Sequence, residues 1–210
     1  MHLGSLVWKV VGVSVLVLPV HAWATDSPLE QIRATTERAL AVLQDPAYGG
    51  LERRQVRVDK VREILLPQFD AHEIAKRTLG TYWRDRTEEQ RKEFIKLFTD
   101  LVEKTYSGTL DRYNTDVKFF FDQERIEDDF AEVDSRIFDP TQNKTFSVSY
   151  RLHKVNGKWL IYDIVAENVS MVRNYRNQFS RILSKSSYED LVQSIQNKLK
   201  QLSSTPSSSS

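Results

Sequence analysis

The hydrophobic repeat of this chain changes period twice, and no other feature limits its fold more. Up to about residue 113 the large apolar residues recur every three or four positions. From Val117 to Glu167 they recur every second position, and from Ser170 the helical spacing returns. A spacing near 3.6 lines up apolar side chains on one stripe of a helix, and a spacing of two lines them up on one face of a strand. One segment cannot serve both. The chain must therefore build helices, then a contiguous sheet, then helices again. That order is an α+β architecture, with N- and C-terminal helices packed on one curved antiparallel sheet of about four strands.

Local signals punctuate the first helical block. Ser27-Pro28-Leu29-Glu30 is a capping box with Pro at the first helical position, and Leu29, Ile32, Thr36, Leu40 and Leu43 follow as its stripe. Asp45-Pro46 ends this helix, and Tyr48-Gly49-Gly50 makes a loop. A second helix is predicted over Glu52–Leu66, with Val58, Val61, Ile64 and Leu65 inward and Pro67 as its stop. Asp70-Ala71-His72-Glu73 opens a short helix that ends at Gly80. Thr87-Glu88-Glu89-Gln90 starts the strongest helix, with Phe94, Leu97, Phe98, Leu101, Val102 and Tyr106 at helical spacing.

In the middle block, Val117, Phe119 and Phe121 alternate with Lys118, Phe120 and Asp122. Ala131, Val133, Ser135 and Ile137 alternate with charged neighbours, and Phe146, Val148, Tyr150 and Leu152 form a third alternating run. Asn156-Gly157 is a hairpin turn. The fourth strand, Lys158–Glu167, is apolar on both faces except at Asp163, so it belongs centrally or under cover on both sides. Ser170 caps a helix carrying Val172, Tyr175, Phe179, Ile182 and Leu183. Ser187 opens the last helix, with Leu191, Val192, Ile195 and Leu199. The low-complexity run SSTPSSSS predicts a disordered tail over residues 203–210.

Residues 10–20 are an apolar run of eleven behind Lys9, shorter than the about 20 residues a membrane span needs. His21-Ala22-Trp23-Ala24 then puts small side chains third and first before a cut. Residues 1–24 read as a secretory signal peptide, which leaves one domain over residues 25–202. Its removal takes one Lys from 30 basic residues and nothing from 29 acidic ones, so the rest of the chain is balanced. A balanced chain is not a general nucleic-acid binder. The absence of Cys excludes disulfides, zinc ribbons, thiol nucleophiles and a lipoprotein anchor.

No catalytic constellation is visible. His72 and His153 sit in no ligand-like pattern, and no P-loop, dinucleotide fingerprint or nucleophile elbow occurs. No catalytic residue, metal or cofactor is assigned. Asp163, among apolar neighbours, is either a general base with a raised pKa or a structural carboxylate bound by Arg151, Arg173 or backbone amides. Phe119, Phe121, Phe146, Val148, Tyr150 and Trp159 are expected to face Phe94, Phe98, Leu101 and Tyr106. Periodicity leaves open whether they fill a core or wall a cavity for an apolar ligand.

Three ordered groups of residues resemble one family. The first runs from Phe69-Asp70 through Leu79-Gly80 to Tyr82-Trp83-Arg84, Thr87, Glu89-Gln90-Arg91, Phe94 and Phe98. The second is Leu101 through Tyr106, then Gly108, Leu110 and Tyr113. The third is Val148-Ser149-Tyr150-Arg151-Leu152, Gly157-Lys158-Trp159, Tyr162-Asp163-Ile164, Glu167-Asn168-Val169-Ser170-Met171, Asn174-Tyr175-Arg176 and Gln178-Phe179. Together they resemble the MlaC-type periplasmic phospholipid-binding proteins, also described as toluene-tolerance auxiliary transport proteins, over roughly residues 28–200. Asn168 departs from the family's usual Gly.

The resemblance implies a nuclear-transport-factor-2-like sheet and helices around an apolar cavity. It implies a periplasmic carrier, not an enzyme, that moves phospholipid between an outer-membrane lipoprotein–porin complex and an inner-membrane ABC transporter with an MCE-domain subunit. Such a carrier maintains outer-membrane lipid asymmetry and acts as a monomer. The expected tail-binding residues are Phe94, Leu97, Phe98, Leu101, Phe119, Phe121, Val133, Phe146, Val148, Tyr150, Trp159 and Ile161, with Val169 and Val172 at the entrance. Arg84, Arg112, Arg173 and Arg176 are the head-group candidates. The alternatives are an enzyme on the same fold using Asp163 as base, and a transporter-docking protein that carries nothing.

Overall fold

The computed structural model describes residues 27–110 and 117–204. The expected signal peptide, Arg112, Tyr113 and residues 205–210 lie outside them. Helix α1 (Pro28–Gln44) starts at the predicted cap, where Ser27 Oγ accepts the Glu30 N–H at 3.2 Å. Its buried stripe is Pro28, Ile32, Thr35, Ala39 and Leu43, not the predicted line through Thr36 and Leu40. The line turns because α1 serves two partners. Ile32 packs on the sheet, whereas Ala39 and Leu43 pack on Val61 of α2 (Arg54–Leu65). A 3-10 turn over Leu51–Arg53 takes the first residues of the predicted second helix.

Helix α3 (Ala71–Leu79) is capped by Asp70, whose Oδ1 accepts the Glu73 N–H at 2.8 Å, and it ends at Gly80 with φ +59°. Helix α4 (Glu88–Leu110) opens on a reciprocal box in which Thr87 and Gln90 each accept the other's backbone N–H. Helices α5 (Met171–Leu183) and α6 (Tyr188–Ser204) follow the sheet. Ser203 and Ser204 form the last turn of α6 and are not the start of a tail. The Ser203 hydroxyl donates to the Leu199 carbonyl at 2.9 Å within that turn.

The sheet has five antiparallel strands in chain order: β1 (Lys118–Glu127), β2 (Phe130–Asp139), β3 (Lys144–Val155), β4 (Lys158–Ala166) and β5 (Val169–Ser170). The fifth strand escapes a sequence reading because it has two residues, and Ser170 also caps α5 by accepting the Arg173 N–H. The turn before it holds Glu167 at φ +48° and Asn168 at φ +64°. Asn tolerates the left-handed region through its short polar side chain, so the turn closes without glycine. Strand β1 ends the sheet on one side, and its register with β2 shifts between Phe121 and Gln123.

Cross-strand pairs sort the sheet into two faces. Phe119, Ile137 and Phe146 lie in one row, and Phe121, Ser135 and Val148 in the next. Val133 with Tyr150, and Ala131 with Leu152, continue the apolar face. The other face is ionic: Arg125 meets Glu132 at 2.8 Å and Asp134 at 3.0 Å, and Arg136 meets Asp122 at 2.7 Å. Such exposed pairs contribute little to stability and mainly keep this face in water. Strand β4 is covered on both sides, as its composition requires. Ile161 packs with Ile32 of α1 on one side, and Tyr162 packs on the helical core formed by α3, α4, α5 and α6 on the other.

Among the described residues, the rings of α4 do not join the sheet's apolar face as expected. Phe94 and Phe98 turn to α5 instead. Phe98 stands edge-on to Tyr175 at 4.9 Å and to Phe179 at 5.6 Å, and Phe94 is edge-on to Phe179 at 5.7 Å. Edge-to-face rings gain about 0.5–1.5 kcal/mol beyond burial, and α5 supplies two rings in reach. Leu97, Leu101 and Val172 belong to the same helical core.

Tyr188 of α6 closes that core, with its hydroxyl donating to the Gln90 carbonyl at 2.9 Å. Burial pushes its pKa from 10.0 to about 12. The folded chain thus holds this proton more tightly than the unfolded chain. The resulting stabilisation is complete below pH 10 and is lost as pH rises towards 12. Urea midpoints across that window should fall more steeply for the native chain than for Tyr188→Phe.

Candidate functional site

The apolar face of the sheet changes character along its length. At one end Ala131, Val133, Leu152, Trp159 and Ile161 are buried beneath Ile32 of α1. There Gln31 of α1 donates to the Trp159 carbonyl at 2.8 Å, and the Leu29 N–H donates to Glu124 at 2.8 Å. These polar contacts pin the first turns of α1 over this end only. Towards the other end Phe119, Phe121, Phe146, Val148 and Tyr150 are only half-buried, although they point to the same side. The Arg33 guanidinium of α1 sits 5.2 Å from the Phe121 ring centre, at the border between the two parts.

A polar feature stands at the rim. Asp163, only 4% exposed, holds the start of α5. Its Oδ2 accepts the Ser170 hydroxyl at 2.6 Å and its Oδ1 accepts the Val172 N–H at 3.0 Å, with Arg151 Nη1 at 3.6 Å. Both oxygens are engaged, so the structural reading of Asp163 describes this site and the general-base reading does not. Across the sheet edge, Glu167 accepts the Ser147 N–H at 2.7 Å and its hydroxyl at 3.0 Å. These bonds, with Lys144 nearby, hold its carboxyl below the usual carboxylate range.

Beside Asp163 lies a cleft of about 250 Å³ whose lining includes Arg77, Arg151, Arg173 and Arg176. Two head-group candidates, Arg173 and Arg176, therefore come together. Arg84 stays exposed at the turn before α4 and lines no part of this cleft. Arg77 has no sequence signal, since its partner Arg176 is 99 residues away. Arg77 also lies over the Tyr162 ring at 4.1 Å. Val172 lines the cleft from the helical core, and Val169 on β5 is 58% exposed. Among the described residues, no group of three or more His, Asp or Glu converges to hold a metal, and no helix is long and apolar enough to cross a membrane.

These features define a class: an α+β protein with an unclosed curved sheet, a half-covered apolar face and an arginine-lined rim. The chain belongs to the MlaC family, whose sequence model, described as MlaC protein, matches residues 33–197. It is similar to the intermembrane phospholipid transport system binding protein MlaC of Haemophilus influenzae. The two are 27% identical over 176 residues, which cover 82% of this chain and 77% of that protein. A solved structure of the phospholipid-binding protein from Ralstonia solanacearum, in complex with a phospholipid, has the same fold. Its TM-score is 0.73 at 24% identity, over 83% of this chain and 98% of that one.

Proposed function

We propose that this chain is a phospholipid carrier that works in the periplasm. The half-buried apolar stripe Phe119–Phe121–Phe146–Val148–Tyr150, in a member of the MlaC family, is the observation that carries the reading. The relative from Haemophilus influenzae is named as the binding protein of an intermembrane phospholipid transport system, and the protein from Ralstonia solanacearum holds a phospholipid. In this reading the acyl chains lie along that stripe and reach towards Val133, Trp159 and Ile161, with Val169 at the entrance. Phe94, Leu97, Phe98, Leu101 and Val172 support the site from the helical core.

Each buried methylene contributes ~0.8 kcal/mol, so two sixteen-carbon chains would cost roughly 25 kcal/mol to expose to water. A carrier must hide most of that surface and still release it. Transfer between a protein groove and a bilayer is nearly neutral because both solvate hydrocarbon alike. Residues 1–24 serve as the export signal and residues 25–202 as the carrier. The donors and acceptors are the outer-membrane lipoprotein–porin complex and the inner-membrane ABC transporter with its MCE-domain subunit. The test is lipid extraction and native mass spectrometry of the exported protein. Co-purified phospholipid in a fixed ratio is expected, and a uniformly empty protein would overturn the reading.

A further inference from the structure

We infer that the arginine cleft binds the phosphate of the carried lipid's headgroup and favours headgroups of net negative charge. This inference rests on the carrier reading and adds a polar subsite and a lipid preference to it.

The cleft is built to present positive charge in a fixed arrangement. Arg77, Arg173 and Arg176 are each held by one nitrogen, and Arg151 by Nε and, at 3.6 Å from Asp163, by Nη1. Arg77 Nε bonds Glu73 at 2.9 Å, and Arg151 Nε bonds Glu132 at 3.1 Å. Arg176 Nε donates to the Arg77 carbonyl at 2.6 Å, and Arg173 Nη2 donates to the Asn168 carbonyl at 3.3 Å. An anchored guanidinium keeps the rest of its planar donor fork, already oriented, for a phosphate. The lining holds one carboxylate, Asp163, against four cations. Asp163 and Ser170 already bond the Val172 and Arg173 N–H groups, so the start of α5 is satisfied and the arginine side chains supply the binding.

Position ties the cleft to the lipid tails. Val169 pairs with Ala166, and Ala166 pairs with Val148, which puts all three on the apolar face. The next residue, Ser170, turns to the opposite side and lines the cleft. A single residue step therefore separates the hydrocarbon surface from the arginines, around the short edge strand β5. The cleft volume of about 250 Å³ is smaller than the usual space for a whole drug-sized ligand, and it suits a headgroup without its chains. An ammonium beside the phosphate, as in choline or ethanolamine lipids, would add a cation where four guanidiniums already outnumber the carboxylates Asp163, Glu73 and Glu132; glycerol headgroups add none.

The test compares the mature protein with Arg173→Gln/Arg176→Gln, two exposed positions outside the apolar face. Both proteins load fluorescent-tailed phosphatidylglycerol, phosphatidylcholine or diacylglycerol from vesicles, and thermal melting checks that the variant is folded. The native chain should take up phosphatidylglycerol about tenfold better than phosphatidylcholine, and the variant should lose that preference while loading diacylglycerol unchanged. Equal loading of both phospholipids by both proteins would overturn the inference and leave the carrier reading intact. No loading of any lipid by either protein would sink the carrier reading itself. Inorganic phosphate is then titrated into delipidated protein and followed by arginine Nε resonances. If phosphate binds but the two proteins load lipid identically, the cleft is a site for free phosphate and the headgroup assignment fails.

Discussion

Replacing Val148 by Glu is expected to empty the protein of lipid while leaving it folded. Val148 sits between Ser135 and Ala166 on the apolar face and is half-buried, so the native fold already tolerates water beside it. A carboxylate there has two options, and both exclude acyl chains. It can keep its hydration shell and hold water against the stripe, or it can lose that shell at a cost of several kcal/mol. Lipid occupancy should therefore fall at least about tenfold, the equivalent of 1.4 kcal/mol. Mass spectrometry of the extracted lipid reads the occupancy, and the melting temperature reads the fold. A folded Val148→Glu protein carrying the native amount of lipid would show that the tails lie elsewhere.

The second large effect falls on Asp163. Its replacement by Ala leaves the buried Ser170 hydroxyl and the Val172 N–H without their acceptor. Each unsatisfied buried donor costs about 1–3 kcal/mol, so a loss of about 3 kcal/mol is expected for the pair. Asp163→Asn keeps one acceptor oxygen and should lose about half as much. Urea denaturation gives the comparison. An unchanged midpoint for Asp163→Ala would mean that α5 is held by its apolar contacts alone, and the cap described above would be without energetic weight.

The contrast between the two sites explains what the amino-acid order made legible. Local chemistry was readable wherever a residue acts on its own neighbours. The caps at Ser27, Asp70, Thr87 and Ser170 form at the expected helix starts, and the alternation of Val133, Ser135 and Ile137 marks a buried strand face. Partner choice was not readable. The stripe of Phe94 and Phe98 would look the same whether it met a sheet or another helix, and only the rings of Tyr175 and Phe179 decide it. Arg77 joins the cleft because α3 is tied to the sheet, with the Asp70 N–H donating to the Ile161 carbonyl at 3.0 Å and Asp70 Oδ2 3.0 Å from His153 Nε2. No spacing in the chain encodes that meeting. A family resemblance spanning the fold supplied the function, which periodicity had left between a core and a groove.

Strand β1 has a further consequence. As the terminal strand it offers its outer backbone groups to any passing strand, a hazard for a protein whose neighbouring face is greasy. Its side chains answer that hazard: Lys118, Asp122, Arg125 and Glu127 punctuate it, and the irregular step after Phe121 breaks the straight ladder that a second copy would need. The open edge of the sheet is thus shielded by charge and by an irregular step, right beside the face that α1 leaves half covered.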